Sequence, residues 1–245
     1  MNGWYLTSHF CYLEMVKENK LTSILSEGYK ISIKEIAYIT FEDLRGINVE
    51  EEILNIYKSL GGIQSLPNLP FLQEHIIIEP NILLILDDER KFNRYRASTL
   101  KATVYSQIKH FPLEKYKSFC RTYENQCLKS ASHAAAWTNR EAEKSYGKAA
   151  EFGDLDANGS PLWKEIAMHD FILDHLPLIS DYQLLRISVW DNILINSKMY
   201  KVSDLLLTSR PDLNKALYKF LDRKIAAMLP PPVQDNSSSN LLPVI

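Results

Sequence analysis

One eleven-residue stretch constrains the fold of this chain more than any other. It holds two apolar runs, Ile76-Ile77-Ile78 and Ile82-Leu83-Leu84-Ile85-Leu86, separated by Glu79-Pro80-Asn81. Their β-branched content and the turn residues between them predict a hairpin. The second run shows no polar–apolar alternation, so it reads as a central strand covered on both faces. A sheet with such a strand needs layers on both sides. The expected fold is therefore α/β or α+β: a small mixed sheet built around Ile76–Leu86 and a second strand segment, Tyr182–Ile195, flanked by helices.

The rest of the pattern is largely helical. Asn48 in a capping position and Glu51 three residues on form a capping-box signature, followed by Val49, Ile53, Ile56, Tyr57 and Leu60 at helical spacing and closed by Gly61-Gly62. Ser65 to Pro70 is a breaker. Leu113, Tyr116, Cys120, Tyr123 and Cys127 recur by three and four after Pro112, an amphipathic helix on which the two cysteines read as small core hydrophobes. Residues 137–160, with Gly147, Gly153 and Gly159, read as a loop-rich excursion. Ser160-Pro161 opens a helix that runs to about His175, and a last helix starts near Pro211. On that first helix His169, Asp170, Asp174 and His175 crowd together, and their pattern reads as a solvated flank. The organisation expected is an N-terminal segment over residues 1–47, a single α/β domain over 48–229, and a compositionally disordered tail over 230–245.

Charge narrows the function classes. With 28 basic and 30 acidic residues the formal charge is −2, which excludes a globally basic nucleic-acid binder but leaves room for a local patch. No apolar run approaches the roughly 18 residues a membrane helix needs, and no basic-then-apolar leader is visible at the N-terminus. Three cysteines without CxxC spacing argue for a reduced protein, and a cytoplasmic location is expected. No G-x-S-x-G, Walker loop, G-x-G-x-x-G or H-E-x-x-H motif is present.

The segment most suited to chemistry follows Leu86. Asp87, Asp88 and Glu89 end the strand, and Arg90, Lys91, Arg94, Arg96 and Lys101 follow within twelve positions without another acid. Carboxylates at a strand end can hold Mg²⁺, which polarises a scissile phosphate, while adjacent cations position the nucleic-acid backbone. Strand alternation would place Asp87 and Glu89 on one face. The expected roles are catalysis for Asp87, Glu89 and Lys91; metal binding for Asp87, Glu89 and Glu52; and nucleic-acid contact for Arg90, Arg94, Arg96 and Lys101.

The run from Leu83 through Asp87-Asp88-Glu89-Arg90-Lys91 to Phe92-Asn93-Arg94-Tyr95-Arg96 resembles an uncharacterised bacterial family in which a strand reading E-L-D leads into H-F-N-R-Y-R. That pattern is similar to short endonucleases of the very-short-patch-repair kind and to the wider PD-(D/E)XK nuclease fold. The resemblance implies a PD-(D/E)XK-like core, Mg²⁺ dependence, and a role in bacterial defence or repair. This chain departs from the pattern at Ile85, where a glutamate is expected, and at Lys91, where a histidine is. The preceding strand offers only Glu74, His75 or Glu79 as ligands, with Glu51 or Glu52 available from the helix before it. Two readings follow: a nucleic-acid-associated protein with a divergent endonuclease-like core, and a non-catalytic interaction subunit with a degraded site and a protein partner.

A second motif points elsewhere. Asp154-Leu155-Asp156-Ala157-Asn158-Gly159, with Glu165 at the twelfth position, resembles an EF-hand calcium loop. Asp154, Asp156, Asn158 and Glu165 would be the ligands. Pro161 at position eight opposes this, because it has no N–H to pair with a partner loop and starts the helix early.

Overall fold

The structure is a computed structural model that describes residues 9–36, 39–70, 74–130 and 136–229; the tail expected over 230–245 lies outside the described residues. In chain order the elements are α1 (His9–Leu25), β1 (Ile31–Glu35), α2 (Phe41–Gly46), α3 (Glu50–Ser59), β2 (Glu74–Ile78), β3 (Ile82–Asp87) and α4 (Arg94–Thr99). They continue as α5 (Leu113–Ser130), α6 (Arg140–Tyr146), α7 (Pro161–Leu173), α8 (Leu176–Ile179), β4 (Gln183–Ser188), β5 (Asn192–Ile195), β6 (Lys198–Lys201), α9 (Val202–Leu206) and α10 (Pro211–Ala226). Short 3₁₀ turns cover Glu89–Lys91 and Thr103–Ser106.

The main sheet has the order β1-β2-β3-β4, and helices flank it. β2 and β3 form the expected hairpin, with Ile76, Ile77 and Ile78 opposite Leu84, Leu83 and Ile82. β4 runs parallel to β3, from Ile82↔Gln183 to Asp87↔Ser188. A parallel neighbour requires a crossover, and α4 to α8 supply it. Every residue of β3 is buried, as its unbroken apolar run requires. β1, from within the first 47 residues, pairs along the whole of β2 and completes the mixed sheet.

Three local readings need correction. The segment Tyr182–Ile195 is not one strand: β4 ends at Ser188 and β5 belongs to a separate hairpin with β6. The break is a stapled turn. The Trp190 N–H donates to Ser188 Oγ at 3.0 Å, the Ser188 N–H to Asp191 Oδ2 at 3.3 Å, and the Asp191 N–H to the Ser188 carbonyl at 3.0 Å. Asn48 does not cap α3 either. It sits at φ 58° and ends α2, with the Asn48 N–H on the Arg45 carbonyl and the Val49 N–H on the Leu44 carbonyl, the paired bonds of a left-handed helix stop. The capping box forms one helix earlier, between Thr40 and Asp43. Residues 137–160 also contain α6, capped by Asn139.

Because Leu83 is fully buried on the central strand, Leu83→Ala should cost about 2–5 kcal/mol of stability. Urea unfolding followed by circular dichroism measures this; a loss under about 1 kcal/mol would contradict the packing described.

Candidate functional site

Register brings the site together. Arg186 lies opposite Ile85 and Ser188 opposite Asp87, so Asp87 and Arg186 point from adjacent parallel strands to the same side of the sheet. α7 contributes Asp170 and, at its C-terminal cap, Asp174, four residues apart and therefore on one stripe of the helix. The Arg186 guanidinium sits among all three carboxylates. Its Nη1 donates to Asp87 Oδ1 at 2.6 Å, its Nε to Asp174 Oδ1 at 2.7 Å, and its Nη2 to Asp170 Oδ1 at 3.2 Å.

The remaining oxygens are almost all engaged. Tyr116 donates to Asp87 Oδ2 at 2.7 Å. Asp174 Oδ2 accepts from Arg96 at 2.7 Å and from Tyr105 at 2.6 Å. Lys91 Nζ lies 2.9 Å from Asp170 Oδ1 and 3.5 Å from Asp87 Oδ1. Three carboxylates thus meet three cations, Arg186, Arg96 and Lys91, and the cluster is neutral. Isolated charges this deep would cost several kcal/mol each, so the pairing is obligatory. Asp170 Oδ2 and His169 Nε2 are buried without a hydrogen-bond partner.

Protonation follows the surroundings. Burial opposes ionisation of Asp170, but Lys91, Arg186 and Arg96 outweigh it and hold the carboxyl well below its usual range. For Asp87 burial wins and raises the carboxyl, against Arg186 and Lys91. Tyr105 and Tyr116 are pushed well above the ordinary phenol by burial and stay donors. Burial brings His169 down to about 4, despite Asp170 beside it, and also lowers His175 and His75.

Of the expected catalytic and metal residues, Asp87 and Lys91 come together in the cluster, while Glu89 and Glu52 are engaged elsewhere. The strand ends at Asp87, Asp88 caps the 3₁₀ turn by accepting from the Arg90 N–H, and Glu89 turns away to pair with Lys17 of α1 at 2.7 Å. The strand-face pairing of Asp87 with Glu89 therefore does not exist. Glu52 is engaged at another turn, accepting from the Thr103 N–H and hydroxyl and from the Val104 N–H. Among the described residues no group of three His, Cys, Asp or Glu is arranged to hold a metal ion. The ligand set Asp87, Glu89 and Glu52 does not assemble.

The expected nucleic-acid contacts are mostly engaged within the fold. Arg90 pairs with Asp88, Arg94 with Glu124 at 3.0 Å, and Arg96 is buried against Asp174. Lys101 is exposed, but it lines a shallow groove of about 400 Å³ together with Glu51 and Glu52, which disfavours phosphate. The Phe92–Arg96 string is structural throughout. Phe92 packs edge-on against Tyr116 and Phe119, Asn93 caps α4 by accepting from the Tyr95 and Arg96 N–H groups, and Tyr95 accepts from the Ser160 N–H.

The calcium-loop side chains are likewise committed elsewhere. Asp154 Oδ1 accepts from the Asp156 and Ala157 N–H groups, and Asn158 bridges the Tyr146 and Lys148 carbonyls while accepting from Lys164. Glu165 is buried in α7 and accepts from Asn68, because the helix begins at Pro161 with Ser160 as its cap. Asp154, Asp156, Asn158 and Glu165 therefore do not surround one point.

Sequence reasoning missed Arg186 and misplaced Asp170 and Asp174, which are core residues and not a solvated flank. Signals were present: a lone arginine in the otherwise apolar Leu184-Leu185-Arg186-Ile187, and two aspartates at i, i+4 within an apolar helix. What they lacked was a stated partner across more than ten residues of chain.

The fold and site define a mixed α/β protein with a self-neutralised charge centre at the carboxyl end of its two parallel strands. A family model described as a family of unknown function, DUF7255, matches residues 55–208, and the chain belongs to that family. The match contains every member of the cluster. No curated protein and no solved structure matches the chain.

Arg186→Ala should destabilise the protein by about 3–5 kcal/mol, because it strands buried carboxylates. Arg94→Ala, which removes an exposed pair, should cost less than about 1 kcal/mol. Equal losses in urea unfolding would refute the distinction.

A histidine whose folded pKa lies below its unfolded value stabilises the fold above the unfolded value and loses that contribution as pH falls. For His169 the window runs from 6.5 down to about 4, a span worth about 3 kcal/mol. His169→Gln should flatten the pH dependence of the melting temperature in that window; an unchanged slope would remove His169 as its source.

Proposed function

We propose that this chain acts by binding and not by cutting: a non-catalytic member of a nuclease-like frame whose acidic centre carries its own cation. The observation behind this reading is the position of Arg186. A hydrolytic Mg²⁺ centre needs carboxylate oxygens facing a common open position, with room for a water that the ion can ionise. Here the common position of Asp87, Asp170 and Asp174 is filled by a guanidinium. With Arg96 and Lys91 it balances the carboxylate charge, but it offers only N–H donors and cannot activate water. Lys91, the candidate for orienting a water, is bound to Asp170, and burial alone would lower its pKa were it not for Asp170 and Asp87, which raise it. It stays an ammonium and is no base.

Purified protein incubated with plasmid and with oligonucleotides in Mg²⁺ or Mn²⁺ should give no cleavage above buffer. Robust cleavage that disappears in Asp87→Asn, with the variant's circular dichroism unchanged, would overturn the proposal.

A further inference from the structure

A second group of charges, in the turn after β4 and on α5, β6 and α10, carries more positive charge than it neutralises. Lys115 of α5 reaches Asp191 Oδ1 at 2.5 Å. Lys224, in the last turn of α10, is near enough to feel both the Asp191 carboxylate and the Lys115 ammonium. Lys201, at the end of β6, places its ammonium 4.6 Å from the centroid of the Trp190 ring and 5.4 Å from that of Tyr123. Those two rings stack at 4.0 Å and 10°. The turn after β4 holds this together, since Trp190 and Asp191 are the residues stapled by Ser188, and the Val202 N–H bonds the Asp191 carbonyl at 2.8 Å.

Among the described residues Lys201 and Lys224 have no carboxylate in ion-pair contact. Lys115 and Lys224 share the Asp191 carboxylate, and Lys201 beside Trp190 adds a third ammonium, so these three lysines outnumber the one carboxylate among them by two charges on a protein whose overall charge is −2. Burial and the neighbouring Lys115 hold the Lys224 ammonium below its usual pKa, against Asp191, so a bound anion would relieve it. The Trp190 indole N–H, on the ring beside Lys201, is buried without an acceptor. Trp190 is buried and backs the half-buried Tyr123 ring, and a half-buried ring bordered by excess ammonium charge suits a ligand with phosphates on one side and flat bases on the other.

We infer that the Lys115–Lys201–Lys224 cluster with the Tyr123 ring, backed by Trp190, binds single-stranded nucleic acid, the lysines on backbone phosphates and Tyr123 beside a base. The inference rests on the reading of the chain as a binding protein and supplies its partner. It also moves the expected contact surface from Arg90, Arg94 and Arg96, which the fold engages, to a group in which Lys201 and Lys224 have no carboxylate in ion-pair contact.

The test is fluorescence anisotropy of a fluorescein-labelled oligothymidylate of about 20 nucleotides with the full chain, between about 50 and 200 mM NaCl, the range over which phosphate contacts register. The double variant Lys201→Gln/Lys224→Gln should weaken binding at least about tenfold and lower the salt slope by about 1.4, the value for two single-strand phosphate contacts. Tyr123→Leu should weaken binding with the salt slope unchanged, and Lys101→Gln should change neither. Melting curves of the variants establish that they fold. Absence of binding, binding indifferent to the double variant, tighter binding of a duplex of equal length, or binding of inorganic phosphate alone would each overturn the assignment. Cleavage of the labelled strand in Mg²⁺ would instead overturn the non-catalytic reading, leaving lysine dependence to decide the surface.

Discussion

The buried guanidinium of Arg186 is the interaction on which the other parts of this structure depend. It joins the end of β3, through Asp87, to both ends of the last turn of α7, through Asp170 and Asp174. Arg96 then ties α4 to Asp174, and Lys91 ties the 3₁₀ turn after β3 to Asp170. Segments separated by up to 99 positions are held in one neutral cluster. A hydrophobic residue in place of any single member would leave a charge unmatched in a medium that tolerates none.

That constraint explains why a segment with the composition of a catalytic loop behaves as a structural one. After β3 the chain must turn, start a helix, and deliver Arg96 to Asp174. Asp88 caps the turn, Asn93 caps α4, Phe92 anchors the passage among Tyr116 and Phe119, and Arg94 ties it to Glu124. The residues between Asp87 and Arg96 are the ones this geometry needs.

Turn chemistry also shapes the chain just after β4. Ser188 and Asp191 break what would be one long strand and redirect the chain into the β5–β6 hairpin. Without that break Trp190 would continue β4; with it, Trp190 lies on Tyr123 of α5 under the ammonium of Lys201. Charge is therefore distributed unequally: neutral and enclosed at the carboxyl end of β3 and β4, positive and partly exposed beyond it.

Local pattern alone determined a good deal. The hairpin of β2 and β3, the two-sided burial of β3, the apolar stripe of α5, the Ser160-Pro161 start of α7 and the Pro211 start of α10 all follow from periodicity, caps and turn residues, which act over a few positions. Tertiary structure decided which charges meet. Asp87, Asp170, Asp174 and Arg186 are far apart in sequence, and neither their burial nor their pairing has a local signature; the parallel register of β3 with β4 and the placement of α7 bring them together. Likewise Arg90, Arg94 and Arg96 read as a solvent-facing basic run because composition carries no information about carboxylates that arrive from elsewhere in the chain. The energy of an ion depends on what surrounds it in space, and that is settled only when distant elements pack.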